Sequence, residues 1–163
     1  MISHKPTLPF TAARLQGLLC LLCLSCLLLP LSGAAQDGPQ PRLRTVTLTA
    51  GMHVIQAELA ITPLQQQTGM MFRRSMGTNE GMLFVNEDKD VRCFWMRNTL
   101  IPLAIAFIAD DGTIVNIAEM KPQSDRSHCS AQPVRFALEM NAGWFAKRGF
   151  KAGSKLRGAP FGN

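Results

Sequence analysis

Ile105-Ala106-Phe107-Ile108-Ala109, Asp110-Asp111-Gly112 and Thr113-Ile114-Val115-Asn116-Ile117-Ala118 form the stretch on which the fold turns. Two runs rich in β-branched and aromatic residues flank an Asp-Gly pair. That pair supplies the residues a tight turn needs where φ becomes positive. The reading is an antiparallel hairpin, and the neighbouring segments follow the same logic.

Upstream, Arg44 to Ala50 and His53 to Ala60 alternate and are separated by Gly51, a second hairpin pattern. Thr62-Pro63-Leu64-Gln65 predicts a short helix toward Met70 or Met71: a capping threonine, proline at the first helical position and a glutamine completing the capping box. Gly81 to Val85 reads as a short apolar strand, Asn86 to Asp90 as a charged turn, and Val91 to Met96 as a further strand. Downstream, Lys121 to Gln132 reads as an exposed loop and Val134 to Met140 as a strand. Asn141 is placed to cap a short helix over Ala142 to Arg148, closed by Gly149, and Gly153 to Arg157 supplies a last strand. Many short strands with few helices predict an all-β domain, a β-rich sandwich or barrel-like fold with one or two short helices.

The chain has 163 residues, and the first 35 read as a secretory signal peptide. His4, Lys5 and Arg14 precede the apolar run Leu18 to Leu29, and Ser32-Gly33-Ala34-Ala35 offers a small-residue cleavage site near Ala35. The apolar run is short for a spanning helix, which needs about 20 residues. A lipoprotein cysteine at Cys26 fits less well, because the run continues past it. Residues 36–43, with Gly38, Pro39 and Pro41, read as a flexible leader, and 44–160 as one domain. This predicts an exported, periplasmic protein with no membrane span in the mature chain.

Without the signal the net charge is +4 and dispersed. That argues against a nucleic-acid partner. Three of the five cysteines leave with the signal, and Cys93 and Cys129 remain in an oxidising compartment. They are either a disulfide pair closing a loop worth about 4 kcal/mol or two separate thiols; spacing alone leaves both open.

Phe94-Trp95-Met96-Arg97-Asn98-Thr99 concentrates an indole, a cation, an amide and a hydroxyl between two apolar runs. Trp95, Arg97, Asn98 and Thr99, with Arg73 and Glu139, are the candidate ligand-binding residues. Tryptophan offers a stacking face, arginine binds anions, and the amide and hydroxyl fix orientation. The alternative is structural: Asn98 and Thr99 cap the turn before Pro102, and Arg73 pairs with Glu139 to tie helix to sheet. Arg73→Ala separates the two, since it costs stability under the second reading only.

Catalytic patterns are absent from the sequence. Ser127-His128-Cys129 is a loop tripeptide, and no Ser-His-Asp order or glycine-rich phosphate loop occurs. No cofactor is called for, and no metal site. Met70, Met71, Met76, Met82 and Met96 with His53 or His128 supply soft donors suited to Cu(I), but they show no ligand spacing and methionine is an ordinary core filler. The readings are, in order, a binding or accessory protein for a small molecule or envelope glycan, an envelope-acting enzyme, and a periplasmic Cu(I)-binding protein.

Several stretches together resemble the DUF192 family of exported or membrane-associated proteins of unknown function. They are Gly69-Met70-Met71-Phe72-Arg73, Gly81-Met82-Leu83-Phe84, Phe94 to Thr99 with Ile101-Pro102-Leu103, and Leu138-Glu139-Met140-Asn141-Ala142-Gly143. The resemblance runs from about Leu59 to Leu156 and implies a compact β-rich domain with no established activity. Where the family often carries an aspartate after the Pro-Leu step, this chain has Ala104. A cysteine at Cys93 is not a family requirement, so any pairing there is a local feature.

Overall fold

The computed structural model describes residues 38–161. The expected signal segment, 1–35, lies outside the described residues. Nine strands are described: β1 (Thr45–Ala50), β2 (His53–Ala60), β3 (Glu80–Asp90), β4 (Cys93–Phe94), β5 (Leu103–Ile108), β6 (Ile114–Met120), β7 (His128–Cys129), β8 (Val134–Asn141) and β9 (Leu156–Arg157). One short helix, α1 (Pro63–Thr68), and a 3-10 turn at Ala146–Arg148 accompany them. The fold is all-β, as the alternation implies.

Seven strands form one sheet in the order β6-β5-β8-β3-β2-β1-β9, and β4 and β7 pair separately. The sheet curls into a half-barrel. Its two ends meet at one corner, where Leu156 N–H donates to Gly112 O at 2.9 Å and Ile114 N–H to Ser154 O at 2.8 Å. The β5–β6 hairpin closes through Asp110-Asp111-Gly112, with Gly112 at φ 85°.

Among the sheet's pairings, β2 and β3 alone run parallel. A parallel pair needs a crossover rather than a hairpin turn. Residues 61–79 provide it, starting with α1, whose capping box is formed: Gln65 N–H donates to Thr62 Oγ1 at 3.3 Å, and Thr62 N–H to Gln65 Oε1 at 3.0 Å. The helix ends at Thr68, two residues short of the expected Met70, because Gly69 turns the chain at φ 48°.

The crossover and the segment around Met96 cover the outer face of the sheet. Met70, Met96 and Ile101 are buried there with Met82, Ile105 and Phe107. The inner face buries Leu48, Ile55, Leu83, Phe136, Leu138 and Leu156, with Trp144 and Phe145 packed among them. Every residue of β5 is therefore buried, which explains why its sequence is continuously apolar rather than alternating. Gly81 permits the close β3–β8 approach, since a Cβ there would stand 2.6 Å from Glu139 O.

Four local readings need correction. The charged stretch Asn86–Asp90 is not a turn: it is the outer half of β3, which meets β8 again at Asp90–Val134 after a register shift. The expected strand Val91–Met96 shrinks to Cys93–Phe94, because its partner within the loop is only the two-residue β7. Asn141 ends β8 instead of capping a helix, and only Ala146–Arg148 is helical. The leader is fastened from Gln40 onward: Gln40 Nε2 donates to Gly69 O at 2.8 Å and Leu43 N–H to Glu58 Oε2 at 2.8 Å.

Candidate functional site

Three segments converge over the outer face: the crossover after α1, the stretch Trp95–Pro102, and the loop that follows β6. Backbone hydrogen bonds stitch them together. Phe72 N–H donates to Asn98 O at 2.8 Å, Gln123 N–H to Thr99 O at 3.1 Å, and Met96 N–H to Ser124 O at 2.8 Å. Phe72, Asn98 and Gln123 all adopt positive φ, of 62°, 59° and 55°. Non-glycine residues enter that region at a cost and persist only where surrounding contacts hold them. At the backbone level Asn98 and Thr99 thus carry the junction of the segments, and Thr99 N–H closes a turn onto Met96 O at 3.0 Å.

Trp95, which directly follows β4, is 40% exposed. Arg97 Cζ lies 4.0 Å from the centre of its ring, and Arg97 Nε donates to Asp125 Oδ1 at 2.8 Å. Beside Trp95 runs a groove of about 220 Å³, with Gln66, Gln67, Asn86 and Arg92 as its polar wall and Phe84 and Phe94 as its apolar part. The amide nitrogens of Gln66 and Asn86 are already bonded to Val85 O and Arg135 O, at 2.8 and 2.9 Å. Cys93 and Cys129 face each other across β4 and β7 and are joined by a disulfide, S–S 2.08 Å. The bond anchors β4, the strand that directly precedes Trp95.

Arg73 is not paired with Glu139. Its two terminal nitrogens bind Glu58, Nη1 to Oε1 at 2.5 Å and Nη2 to Oε2 at 2.7 Å. Both side chains are buried. Arg42 Nη1 reaches the same carboxylate at 2.9 Å and Glu80 at 3.1 Å. Burial pushes the Glu58 carboxyl up, but the Arg73 hydrogen bonds, the Leu43 N–H and Arg42 together hold it below the usual carboxylate range. The sequence reading missed Glu58 because alternation placed it on a polar face of β2; its face is in fact covered by the crossover.

Glu139 stands in the same row, one strand beyond. Met82 of β3 lies between the two carboxylates, register-paired with Glu58 on one side and Glu139 on the other. Glu139 is 4% exposed, and its Oε2 has no hydrogen-bond partner. Burial pushes its carboxyl up to about 8. Of the six candidate residues, the structure groups Asn98 and Thr99 at the segment junction and Trp95 and Arg97 on the exposed face. Arg73 and Glu139 lie beneath and apart, Arg73 bound to Glu58 and Glu139 Oε2 without a partner. The methionine–histidine reading also separates: Met70, Met82 and Met96 share one buried cluster, whereas His53 packs edge-on against Trp144 at 6.0 Å and His128 pairs with Phe94 on β7.

The DUF192 family model, described as uncharacterized ACR, matches residues 45–158. The chain belongs to the DUF192 family. Two solved structures share the DUF192 chain's fold at clear sequence similarity. One, described as a putative transcription regulator from Sinorhizobium meliloti 1021, is 36% identical with a TM-score of 0.69, over 74% of this chain and 98% of that one. The other, a protein of unknown function from Novosphingobium aromaticivorans DSM 12444, is 39% identical with a TM-score of 0.69, over 77% and 94%. No curated protein matches. Within this DUF192 domain Ala104, at the position after Pro102-Leu103, is fully buried in the inner face. Among the described residues no helix is long and apolar enough to cross a membrane.

Proposed function

We propose that this DUF192 domain is exported and acts in the cell envelope as a binding or accessory module, taking a small polar molecule or glycan segment in the groove beside Trp95. The observation that carries the reading is the exposed indole at the wall of a groove with polar and apolar lining, directly after a strand anchored by a disulfide. Aromatic rings bind sugar faces by stacking, and the amide oxygens of Gln66 and Asn86, whose nitrogens are already bonded, supply acceptors for hydroxyl groups. Arg97 covers part of the ring and Arg92 adds a donor at the rim. Export is supported by the signal-like first 35 residues and by the disulfide, which fits an oxidising compartment.

The test is a titration of the full chain with neutral and amino-sugar oligosaccharides, followed by amide chemical shifts and tryptophan fluorescence. Saturable shifts at Gln67, Asn86 and Trp95, abolished by Trp95→Ala in a folded protein, are the expected result. A panel producing no shift at millimolar concentration, or shifts unaffected by Trp95→Ala, overturns the binding reading. Cell fractionation tests export separately: an unprocessed chain retained in the cytoplasm refutes it.

A further inference from the structure

We propose a second site, independent of the Trp95 groove: a buried Cu(I) site on the outer face of the sheet, built from the Glu139 carboxylate and the thioethers of Met82, Met70 and Met96. The starting point is the orphaned carboxyl. Glu139 sits within β8, opposite Met82 on β3 and Ile105 on β5, nearly sealed from solvent and with Oε2 unpartnered. Leaving a carboxyl so placed is costly, and proteins retain such groups where something else completes them. The cation in the same row cannot do so, because Arg73 is bound to Glu58 on the far side of Met82. Glu139 is therefore neutralised by a proton or by an ion from outside.

The surroundings select the ion. Met82 is the direct cross-strand neighbour of Glu139, and cross-strand neighbours hold their side chains within contact range. Met70 arrives from the crossover and Met96 from the central segment, both in the same buried cluster as Met82. Methionine fills cores readily, so thioethers alone prove nothing. Here one of them, Met82, adjoins an unsatisfied carboxyl, and the other two share its buried cluster. Thioether donors favour Cu(I), while nitrogen, thiolate and clustered carboxylate donors converge nowhere among the described residues. Charge points the same way. A monovalent ion on one carboxylate leaves the face neutral, whereas a divalent ion leaves a buried net charge. Binding replaces the acid proton of Glu139 by Cu(I) and releases that proton to solvent, with no change of oxidation state. Met70 and Met96 lie on the two segments joined by the Phe72–Asn98 backbone bond, and Met76, part-buried, packs against the cluster.

The experiment uses the full chain, titrated anaerobically with Cu(I) held by a chromogenic chelator, and with Ag(I) as a redox-inert probe. One equivalent is expected to be withdrawn from the chelator. Glu139→Gln and Met82→Leu should each weaken binding at least tenfold, and Met52→Leu, at an 89% exposed position, should not. Methionine methyl resonances of the wild type give a readout that no variant's folding can obscure: Ag(I) should shift Met70, Met82 and Met96. Failure to compete with the chelator, affinity unchanged in Glu139→Gln, or shifts confined to Met52 and other exposed methionines overturns the proposal. Since no Trp95 contact is involved, loss of glycan binding in Trp95→Ala leaves this result untouched.

Discussion

Replacing Arg73 with methionine should destabilise the domain by about 2–4 kcal/mol. The substitution keeps most of the side chain's apolar bulk and removes both hydrogen bonds to Glu58, at 2.5 and 2.7 Å. Breaking a buried ion pair from one side costs about 3–5 kcal/mol, because the other charge stays behind in a dry place. Glu58 is such a charge, with its side chain 3% exposed. It keeps the Leu43 N–H and Arg42, and a largely exposed arginine offsets up to about 1 kcal/mol of the loss. Urea unfolding at pH 7, followed by the fluorescence of buried Trp144, reads the difference. Acid adds a signature. The Glu58 carboxyl is held below its ordinary value, so its contribution is present above that value and is lost as pH falls through the folded one. The gap between wild type and Arg73→Met should therefore narrow in acid. The double replacement Glu58→Gln/Arg73→Met should recover part of the loss. A cost under about 1 kcal/mol for Arg73→Met alone refutes the reasoning and reassigns Arg73 to the surface.

Three further outcomes are expected. Gly81→Ala should lower thermal stability by about 1–3 kcal/mol, because the added methyl meets Met140 Sδ and Glu139 O at the β3–β8 contact; an unchanged melting temperature contradicts that packing. Glu139 is pushed up from its ordinary 4.5 to about 8, so the metal-free fold should lose stability as pH rises across that window, by on the order of 5 kcal/mol at most. Glu139→Gln should flatten that slope, as parallel denaturation series at several pH values would show. Cys93→Ser/Cys129→Ser should cost about 4 kcal/mol in the chain-entropy account and release the β4–β7 pair first, visible as faster amide exchange near Trp95.

The strands that alternate or carry a turn signal were legible in the sequence, as was the capping box of α1. What escaped it was set by register. Asn86 to Asp90 is polar throughout, so nothing in it marks strand, yet it continues β3 with its side chains largely in solvent. Cys93 and His128 belong to strands of two residues, too short for any period to show. Arg73 faced a choice between carboxylates that lie in one row across the sheet, and the parallel pairing of β2 with β3 decides for Glu58. Sequence spacing carries no trace of that pairing, because the crossover sets it in three dimensions. Glu139 was visible as a candidate, but its isolation was not; that depends on Arg73 being engaged one strand away.

The corner where Ser154 and Leu156 meet the β5–β6 hairpin also sets an order of events during synthesis. These residues lie near the end of the domain and are translated late, and β9 is also what covers the outer edge of β1. A chain lacking them presents an unpaired strand edge beside an apolar surface, the combination that templates aggregation. The curl closes only once these residues are available, so a premature stop near Gly153 leaves a sticky half-barrel.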